Sequence, residues 1–486
     1  MTQRTPPTPA PAAWLLAVVI AGYIVLFTGA AWHKLHVYLM GFDLAVHTQV
    51  IWNTANGRIA ATSAFAATDS YLGIDMIPTE LLLTPFYALA PAVETLLLLK
   101  TVVLALGAVP VYLLVRDRFS NTWAGLAFAV MFLLYHPVEY MNLYEFQIRA
   151  FATTFLLAAL LFLERRRVGW FWLAALLALG CRSDVGLVLA GMGLYTLTGS
   201  LAGEDRPDRR IALTLGVLPI VVGLGWIGLS VAVLVPLFRN GTEFLYANVI
   251  YGWLGSSPGD MLGTLLTRPG FVLAVVLSPD RLRYLLEMFL PFAFLLLLQP
   301  RMLIITLPIF AMNLLSSSPN IHASTRYHYQ AAIIPFMVVG SAYALHWLSV
   351  NRPLRQQYAA LAAMVLLALV CNIGLRNPLL ALATRSDIEP ARIAAAERLL
   401  AQVPAAAALT TTSTIGPHAA QREQLYFFPG NIIYPADKVE LGEYLLIDDR
   451  EARPEGRERL AQLAGSGRYQ LLAEEHGVSL WRRAQP

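Results

Sequence analysis

Long apolar segments recur along most of this 486-residue chain. A helix needs about 20 apolar residues to cross the hydrocarbon core of a bilayer. Segments that approach or exceed this length lie at residues 12–32, 84–115, 121–138, 148–163, 169–182, 184–200, 211–236, 282–298, 301–316, 330–350 and 357–375. The sequence therefore predicts an all-α polytopic membrane bundle of about eleven transmembrane helices.

Composition excludes several other classes of protein. Charged residues make up 14% of the chain and hydrophobic residues 57%, whereas a soluble domain carries about 25% charged residues. Two distant cysteines, Cys181 and Cys371, without a CxxC motif exclude zinc-finger and thioredoxin-like sites. The net charge of +4 is too small and too dispersed to indicate a nucleic-acid partner.

Arginines concentrate in alternate connecting segments. They are Arg116, Arg118, Arg165, Arg166, Arg167, Arg206, Arg209, Arg210, Arg301, Arg352 and Arg355. The positive-inside rule places these segments, and with them the N-terminus, in the cytoplasm. Eleven spans then put the C-terminus outside. The first segment is as long as a span and longer than a signal-peptide core, which favours an uncleaved first helix.

The other side of the membrane is expected to carry the chemistry. Its loops are long, at residues 33–83 and 237–281, and histidines and carboxylates concentrate there. Residues 1–376 are predicted as the transmembrane domain. Residues 385–486 are more charged and alternate between helical and strand-like runs, with strands expected at 406–411, 424–428, 444–447, 469–473 and 478–481. These runs predict a small α/β domain outside the membrane.

Several short motifs follow one another in a characteristic order. They are Phe42-Asp43-Leu44, Trp52-Asn53-Thr54, Tyr71-Leu72-Gly73, Leu82–Ala90, Tyr284-Leu285-Leu286, Asn313-Leu314-Leu315-Ser316, His328-Tyr329-Gln330-Ala331 and Tyr426-Phe427-Phe428-Pro429. In this order the chain resembles a bacterial family of predicted membrane proteins, the domain of unknown function 2079 family. That family is similar to the GT-C class of glycosyltransferases. The resemblance implies a protein of the bacterial cytoplasmic membrane that takes a sugar from a polyprenyl-phosphate donor.

The chain departs from the family pattern at three places. Asp75 stands where members tend to have histidine, Gln147 follows Phe146 where they tend to have histidine, and Ser183 precedes Asp184 where they tend to have an acidic pair. This divergence keeps open a catalytically inactive scaffold. A transporter or flippase of a lipid or small polar solute is a further alternative, favoured by Lys100 but disfavoured by the crowding of polar residues on one side.

The expected chemistry needs a base and cations. Nucleotide sugars are not available outside the cytoplasm, so a lipid must carry the donor to a glycan, lipid or protein acceptor. The resemblance implies that Asp43 is the general base. A helix over 41–55 places His47 on the same face, where it is the second predicted catalytic residue and tunes or orients the base. The competing interpretation makes Asp43 a helix cap and His47 a solvated side chain.

Further candidates surround the outer membrane boundary. A phosphate leaving group requires cations. Lys100 lies inside the second span, and a charge at such a position usually indicates a functional residue. The alternative is that its side chain snorkels to the membrane surface. The predicted substrate-binding residues are Lys100, Arg182, Asp184, Arg283, Arg326, His328 and Tyr329. Asp75 and Glu80 are the predicted ligands of a divalent ion, Mg²⁺ or Mn²⁺, with a polar loop entering the membrane as the alternative.

Overall fold

The computed structural model describes residues 11–65, 67–199, 207–239, 249–428, 436–452 and 454–484. Within them it contains a large helical bundle and one C-terminal sheet of five strands, so the predicted fold class is confirmed at this level. Arg206, Pro429 and residues 240–248 of the second long outer loop lie outside the described residues.

The first half of the chain is helical, with short breaks. Its described helices are α1 (Pro11–His36), α2 (Phe42–Ala55), α3 (Pro78–Leu81), α4 (Thr84–Leu89), α5 (Val93–Leu106), α6 (Ala108–Phe119), α7 (Thr122–Leu133), α8 (His136–Leu143), α9 (Arg149–Glu164), α10 (Val168–Leu179), α11 (Val185–Leu197) and α12 (Arg209–Leu237). The last of these contains two π-helical stretches, Ala212–Val217 and Ser230–Leu234.

The second half continues the bundle and then leaves it. Its described helices are α13 (Pro258–Thr267), α14 (Pro269–Val276), α15 (Pro279–Phe289), α16 (Pro300–Leu315), α17 (Pro319–His322), α18 (Ile334–Ser349), α19 (Leu354–Gly374), α20 (Pro378–Ala383), α21 (Pro390–Leu400), α22 (Gly416–Ala419) and α23 (Pro454–Gly465).

Four stretches of described helix are long and apolar enough to cross a membrane: Pro11–His36, Val93–Phe119, Arg209–Leu237 and Leu354–Ala383. Two bent pairs also pass the length test, α7 with α8 at 47° and α13 with α14 at 92°. Helices α10, α11, α16 and α18 are apolar but shorter. The chain is therefore a membrane protein by its apolar helices, while the count of eleven spans is not confirmed.

The predicted span at 282–298 is wrong as a continuous helix. Helix α15 ends at Phe289, and two 3₁₀ turns, Leu290–Phe292 and Leu295–Leu298, follow it. Ala293 and Phe294 between them have φ angles of 49° and 58°. This left-handed backbone cannot continue an α-helix.

Arginines meet at one end of the bundle. The side chain of Arg165, after α9, lies 2.7 Å from the Asp117 carboxylate of α6. The guanidinium of Arg118 lies over the Tyr343 ring of α18 at 4.8 Å. Arg149 begins α9 and Arg165 follows its end, about 24 Å away at 1.5 Å per residue. The segments around Arg149 consequently form the opposite end of the bundle.

The C-terminal sheet is a mixed one. Its strands are β1 (Leu409–Thr411), β2 (Leu425–Phe427), β3 (Tyr444–Asp448), β4 (Tyr469–Glu475) and β5 (Val478–Arg483), in the order β2-β1-β3-β5-β4. Strand β1 is parallel to both β2 and β3, whereas β5 is antiparallel to β3 and β4. Each of the five expected strands coincides with one of these, because short apolar runs between polar turns mark them in the sequence.

The sheet packs on the loop at residues 33–83. Val46 and Val50 of α2 belong to the same apolar core as Leu425 and Phe427 of β2. The Gln49 side-chain amide donates hydrogen bonds to the carbonyl oxygens of Arg422 at 3.1 Å and Glu423 at 3.0 Å, which follow α22. Helix α2 is thus enclosed between the C-terminal sheet and the membrane bundle.

Candidate functional site

Helix α2 presents Asp43 and His47 on one face, one turn apart, as its predicted span implied. The hydroxyl of Tyr144 donates a hydrogen bond of 2.8 Å to the Asp43 carboxylate, which is half-buried. Gly41 is the residue that caps the helix, and His47 is only 1% exposed. The interpretations of Asp43 as the cap and of His47 as solvated are therefore wrong.

A buried ion pair lies behind Asp43. The Nδ1 atom of His47 lies 2.8 Å from both carboxylate oxygens of Glu80 in α3. The rings of Tyr71 and Phe146 enclose the imidazole at centroid distances of 4.9 and 5.6 Å. Burial alone lowers the pKa of His47, but the Glu80 carboxylate outweighs it, so the pKa lies above its ordinary value. The Glu80 carboxylate thus favours the protonated form of the imidazole.

Lys100 is fully enclosed in the bundle. Its ammonium donates hydrogen bonds to the carbonyl oxygens of Tyr144 at 2.6 Å and of Glu145 at 3.1 Å. The snorkelling interpretation is wrong, because no part of the side chain reaches the surface. Lys100 instead fixes the segment after α8 that carries the Tyr144 partner of Asp43.

A cavity of about 590 Å³ opens beside this region. Its polar wall is formed by Asp75, Arg149, Arg182, Ser183, Asp184 and Arg239. Its apolar wall includes Ile227, Val231 and Val235 from α12 and Met312 from α16. Among the described lining residues three arginines face two carboxylates, so the cavity carries a net positive charge.

The polar wall is a connected ionic network. Asp184 accepts from the Arg149 guanidinium at 2.6 Å and lies 3.3 Å from Arg182 Nε. Arg182 Nε also lies 3.3 Å from Asp75, which accepts a hydrogen bond of 2.5 Å from the Ser183 hydroxyl. Arg149 Nε and Asp184 Oδ1 are buried and make no hydrogen bond to any residue that the structure describes. The network therefore keeps one donor and one acceptor available.

Aromatic rings join Asp43 to the cavity. The Tyr144 ring lies 5.7 Å from the His328 ring, and His328 lies 4.4 Å from Tyr329, which lines the cavity. The Arg149 guanidinium lies 5.7 Å from the centre of the Tyr329 ring. Burial, and then the charge of Arg149, lowers the pKa of His328 well below its ordinary value, so this imidazole is neutral.

Tyr71 interacts with carboxylates of both the Asp43 region and the cavity wall. Burial, followed by the carboxylates of Glu80, Asp43 and Asp75, raises the pKa of Tyr71 well above its ordinary value. All three carboxylates consequently lie close enough to act on one phenol.

Nine of the eleven predicted site residues meet in this region. They are Asp43, His47, Asp75, Glu80, Lys100, Arg182, Asp184, His328 and Tyr329. Their roles stay predictions, because position alone does not assign a function. Arg149 and Arg239 were missed. The available signal was Arg149 itself, a charge at the edge of an apolar span.

Arg283 and Arg326 lie elsewhere. Arg283 is an exposed residue of α15 that pairs with Glu287 at 2.9 Å. Arg326 is exposed and lies over the Tyr140 ring at 5.5 Å. Neither lines the cavity, and their predicted contact with substrate has no support in the geometry.

The predicted metal ligands are held by protein groups. Asp75 is bound by Ser183 and Arg182, and Glu80 by His47. No group of three or more His, Cys, Asp or Glu side chains in the described ranges is arranged to hold a metal ion. The described residues do not fit the expected Mg²⁺ or Mn²⁺ site.

The fold is similar to that of two solved structures of ArnT from Cupriavidus metallidurans. One is bound to undecaprenyl phosphate, with a TM-score of 0.54 and 14% identity, and one is in the apo state, with 0.55 and 13%. Each comparison covers 95% of this chain and 98% of the other. At this identity the likeness concerns the fold alone.

A third similar structure is the oligosaccharyltransferase from Archaeoglobus fulgidus, in complex with zinc and sulfate. It has a TM-score of 0.48 and 14% identity and covers 95% of this chain and 73% of the other. The sequence matches no curated protein.

The sequence itself settles the family. A single family model, described as a predicted membrane protein (DUF2079), matches residues 35–480. This match spans the apolar bundle after α1, the loop that follows α1 and the C-terminal sheet, and it includes both Asp43 and the cavity. The chain therefore belongs to the DUF2079 family of predicted membrane proteins.

Proposed function

We propose that this protein is a GT-C-type glycosyltransferase of the bacterial cytoplasmic membrane. It transfers a sugar from a polyprenyl-phosphate donor to a glycan, lipid or protein acceptor on the extracytoplasmic face, and its N-terminus is cytoplasmic. The observation that carries the proposal is the cavity with one arginine-rich wall and one apolar wall, joined by aromatic rings to the carboxylate of Asp43.

The two walls suit the two parts of a polyprenyl phosphate. Arginine guanidinium groups bind phosphate oxygens through paired N–H donors, and Arg149 and Arg182 lie in the polar wall. The apolar wall on α12 belongs to a helix long enough to cross the bilayer, so an isoprenoid chain reaches it from the lipid. A fold neighbour, ArnT from Cupriavidus metallidurans, was solved with undecaprenyl phosphate bound.

Asp43 is the proposed general base. Its carboxylate takes the proton of the acceptor hydroxyl while the hydroxyl oxygen attacks the anomeric carbon of the donor sugar. The bond from that carbon to the phosphate oxygen breaks, and the polyprenyl phosphate leaves with the electron pair. Arginines of the polar wall stabilise the developing negative charge on the phosphate. One displacement of this kind inverts the anomeric centre.

The experiment compares Asp43→Asn with Asp69→Asn in purified protein. Asp69 is a matched control because it belongs to the same outer loop and its side chain is 81% exposed. With a polyprenyl-phosphate sugar and an acceptor, D43N is expected to lose about 100-fold or more of the transfer rate. D69N is expected to keep it.

Undiminished transfer by D43N would overturn the role of Asp43. Uptake of a solute or lipid into proteoliposomes without any transfer product would replace the enzyme by a transporter. Absence of both, in a protein that binds donor lipid, would favour the inactive scaffold.

A further inference from the structure

The segment that follows α8 is held by two lysines, Lys34, which is half-buried, and Lys100, which is buried. Lys34 at the end of α1 donates a hydrogen bond of 2.8 Å to the carbonyl of Leu143. Lys100 of α5 donates to the next two carbonyls, those of Tyr144 and Glu145. Carbonyls at the end of a helix carry partial negative charge, which ammonium groups stabilise. Residues 143–145 are thereby fixed to two different helices of the bundle.

The same segment holds the N-terminus of α2. Gly41, the capping residue, has no side chain to accept the first N–H groups of the helix. The Glu145 carboxylate accepts the N–H of Leu44 at 3.1 Å in its place. Tyr144 binds the Asp43 carboxylate directly. Two adjacent residues therefore fix both the backbone and the side chain of the proposed base.

We propose that Glu145 is a positioning residue for Asp43: it caps α2 from outside the helix and sets the charge that the Asp43 carboxylate experiences. The proposal rests on the proposed function, in which Asp43 is the base. Glu145 itself touches no reacting atom.

The groups around Glu145 determine how its charge, and therefore its effect on Asp43, changes with pH. Burial, and then the Asp43 carboxylate, raises the pKa of Glu145 to about 7, while Lys34 opposes the rise. Lys100, Tyr144 and Tyr327 are further titratable groups that interact with it. Around neutral pH, Glu145 consequently changes from a neutral to an anionic neighbour. A like charge beside a carboxylate favours the uptake of a proton by that carboxylate.

The test compares Glu145→Gln, Glu145→Ala and the control Glu423→Gln, an exposed side chain in an ion pair with Arg58. Gln keeps an oxygen that accepts the Leu44 N–H but does not titrate, whereas Ala removes both properties. Wild type and E423Q are expected to show a rise in kcat with pH centred near 7. E145Q is expected to lose this step, and E145A is expected to lose about 10- to 100-fold of kcat.

The two proposals fail separately. Loss of activity in D43N together with an unchanged pH step in E145Q would overturn the role of Glu145 alone. Full activity in D43N would overturn the proposed function, on which this role depends. If E145A fails to fold, E145Q still decides the question, because it retains the capping oxygen and the pH profile is independent of the amount of folded protein.

Discussion

The imidazole of His47 and the carboxylate of Glu80 form an ion pair with almost no contact with solvent. Nδ1 lies 2.8 Å from each carboxylate oxygen, and the two side chains are 1% and 0% exposed. The pair connects α2, which carries Asp43, to α3, which precedes the apolar helices α4 and α5. The stability of this pair therefore affects the position of Asp43.

Replacing Glu80 is expected to destabilise the protein. A hydrogen bond to a buried charged group contributes about 1.5–3 kcal/mol, so Glu80→Gln should lower the apparent Tm of the detergent-solubilised protein. The matched control is Glu94→Gln, because Glu94 also pairs with a histidine, His36 at 3.2 Å, but its side chain is 31% exposed and that of His36 is 61% exposed. Equal losses of Tm in both variants would contradict the importance of burial.

The same pair predicts a pH dependence of stability. The pKa of His47 is raised in the folded protein above the ordinary histidine value of about 6.5. The stabilisation is therefore complete below about pH 6.5 and is lost as pH rises through the folded-state pKa. Unfolding temperatures from pH 6 to 9 should fall more steeply for wild type than for E80Q. Parallel curves would show that the imidazole does not titrate in this range.

Polyprenyl phosphate binding should separate the arginines that line the cavity from those that do not. Arg149→Gln and Arg182→Gln each remove a cation from the polar wall. A charge-assisted contact of about 1.5–3 kcal/mol corresponds to about a 10- to 100-fold loss of affinity for undecaprenyl phosphate. Arg283→Gln and Arg326→Gln should bind as wild type does, since neither side chain lines the cavity.

Titration with undecaprenyl phosphate measures these affinities, and Tm values identify variants that lose their fold. A weaker complex for R283Q or R326Q with an unchanged complex for R149Q would place the phosphate outside the cavity. Such a result would support the sequence-based prediction that Arg283 and Arg326 contact the substrate.

Gly41 is expected to tolerate no side chain. A Cβ atom there would collide with Ser413 Oγ of the C-terminal domain and approach the Glu145 carboxylate to 3.4 Å. Ser413 Oγ also accepts the N–H of Phe42 at 2.9 Å, so Gly41→Ala should disturb the turn before Asp43 and lower transfer activity about tenfold or more.

A second substitution tests the cause. Removal of the hydroxyl in the double variant G41A/S413A should recover part of the lost activity. Gly29→Ala is the control, because nothing lies within 4 Å of a Cβ at Gly29. A double variant as inactive as G41A would show that the collision with Ser413 is not the cause.

Acid should loosen the C-terminal domain from the bundle. The His418 ring stacks on Tyr38 at 3.9 Å, and its Nε2 lies 3.2 Å from the carbonyl oxygen of Leu35 at the end of α1. Burial lowers the pKa of His418 to about 4. Because the folded-state pKa lies below the ordinary value of about 6.5, this stabilisation is present above pH 6.5 and decreases as pH falls towards 4.

Hydrogen exchange in β1 and β2 measures this loosening. Exchange should quicken between pH 6.5 and 4.5, after correction for intrinsic rates, and His418→Gln should abolish the change. His33→Gln, at an exposed position, should retain it. A change that persists in H418Q would assign the pH response to other groups.

The sequence was sufficient to predict the features that a local pattern of residues determines. Helical spacing put Asp43 and His47 on one face, and the short turn between two apolar runs marked Arg182 and Asp184. Alternation between apolar runs and polar turns located the five strands to within a few residues. These features depend on neighbours along the chain, which a single sequence displays.

Long-range partners could not be predicted in this way. The Glu145 contact with Leu44 joins residues 101 apart, and that of His47 with Glu80 joins residues 33 apart. The sequence indicated that Arg283 lies near the membrane boundary but not which way it points around the bundle. The left-handed backbone at Ala293 left no signal either, since glycine is the residue that usually marks such a conformation.

The contact between the C-terminal sheet and α2 also sets an order of assembly. The ribosome delivers residues 33–83 before the strands that follow residue 408, because synthesis runs from the N-terminus. Until those strands exist, Val46 and Val50 lack the apolar partners that Leu425 and Phe427 supply. A nascent chain can therefore have its apolar helices in place before the C-terminal strands cover α2, the helix that carries Asp43.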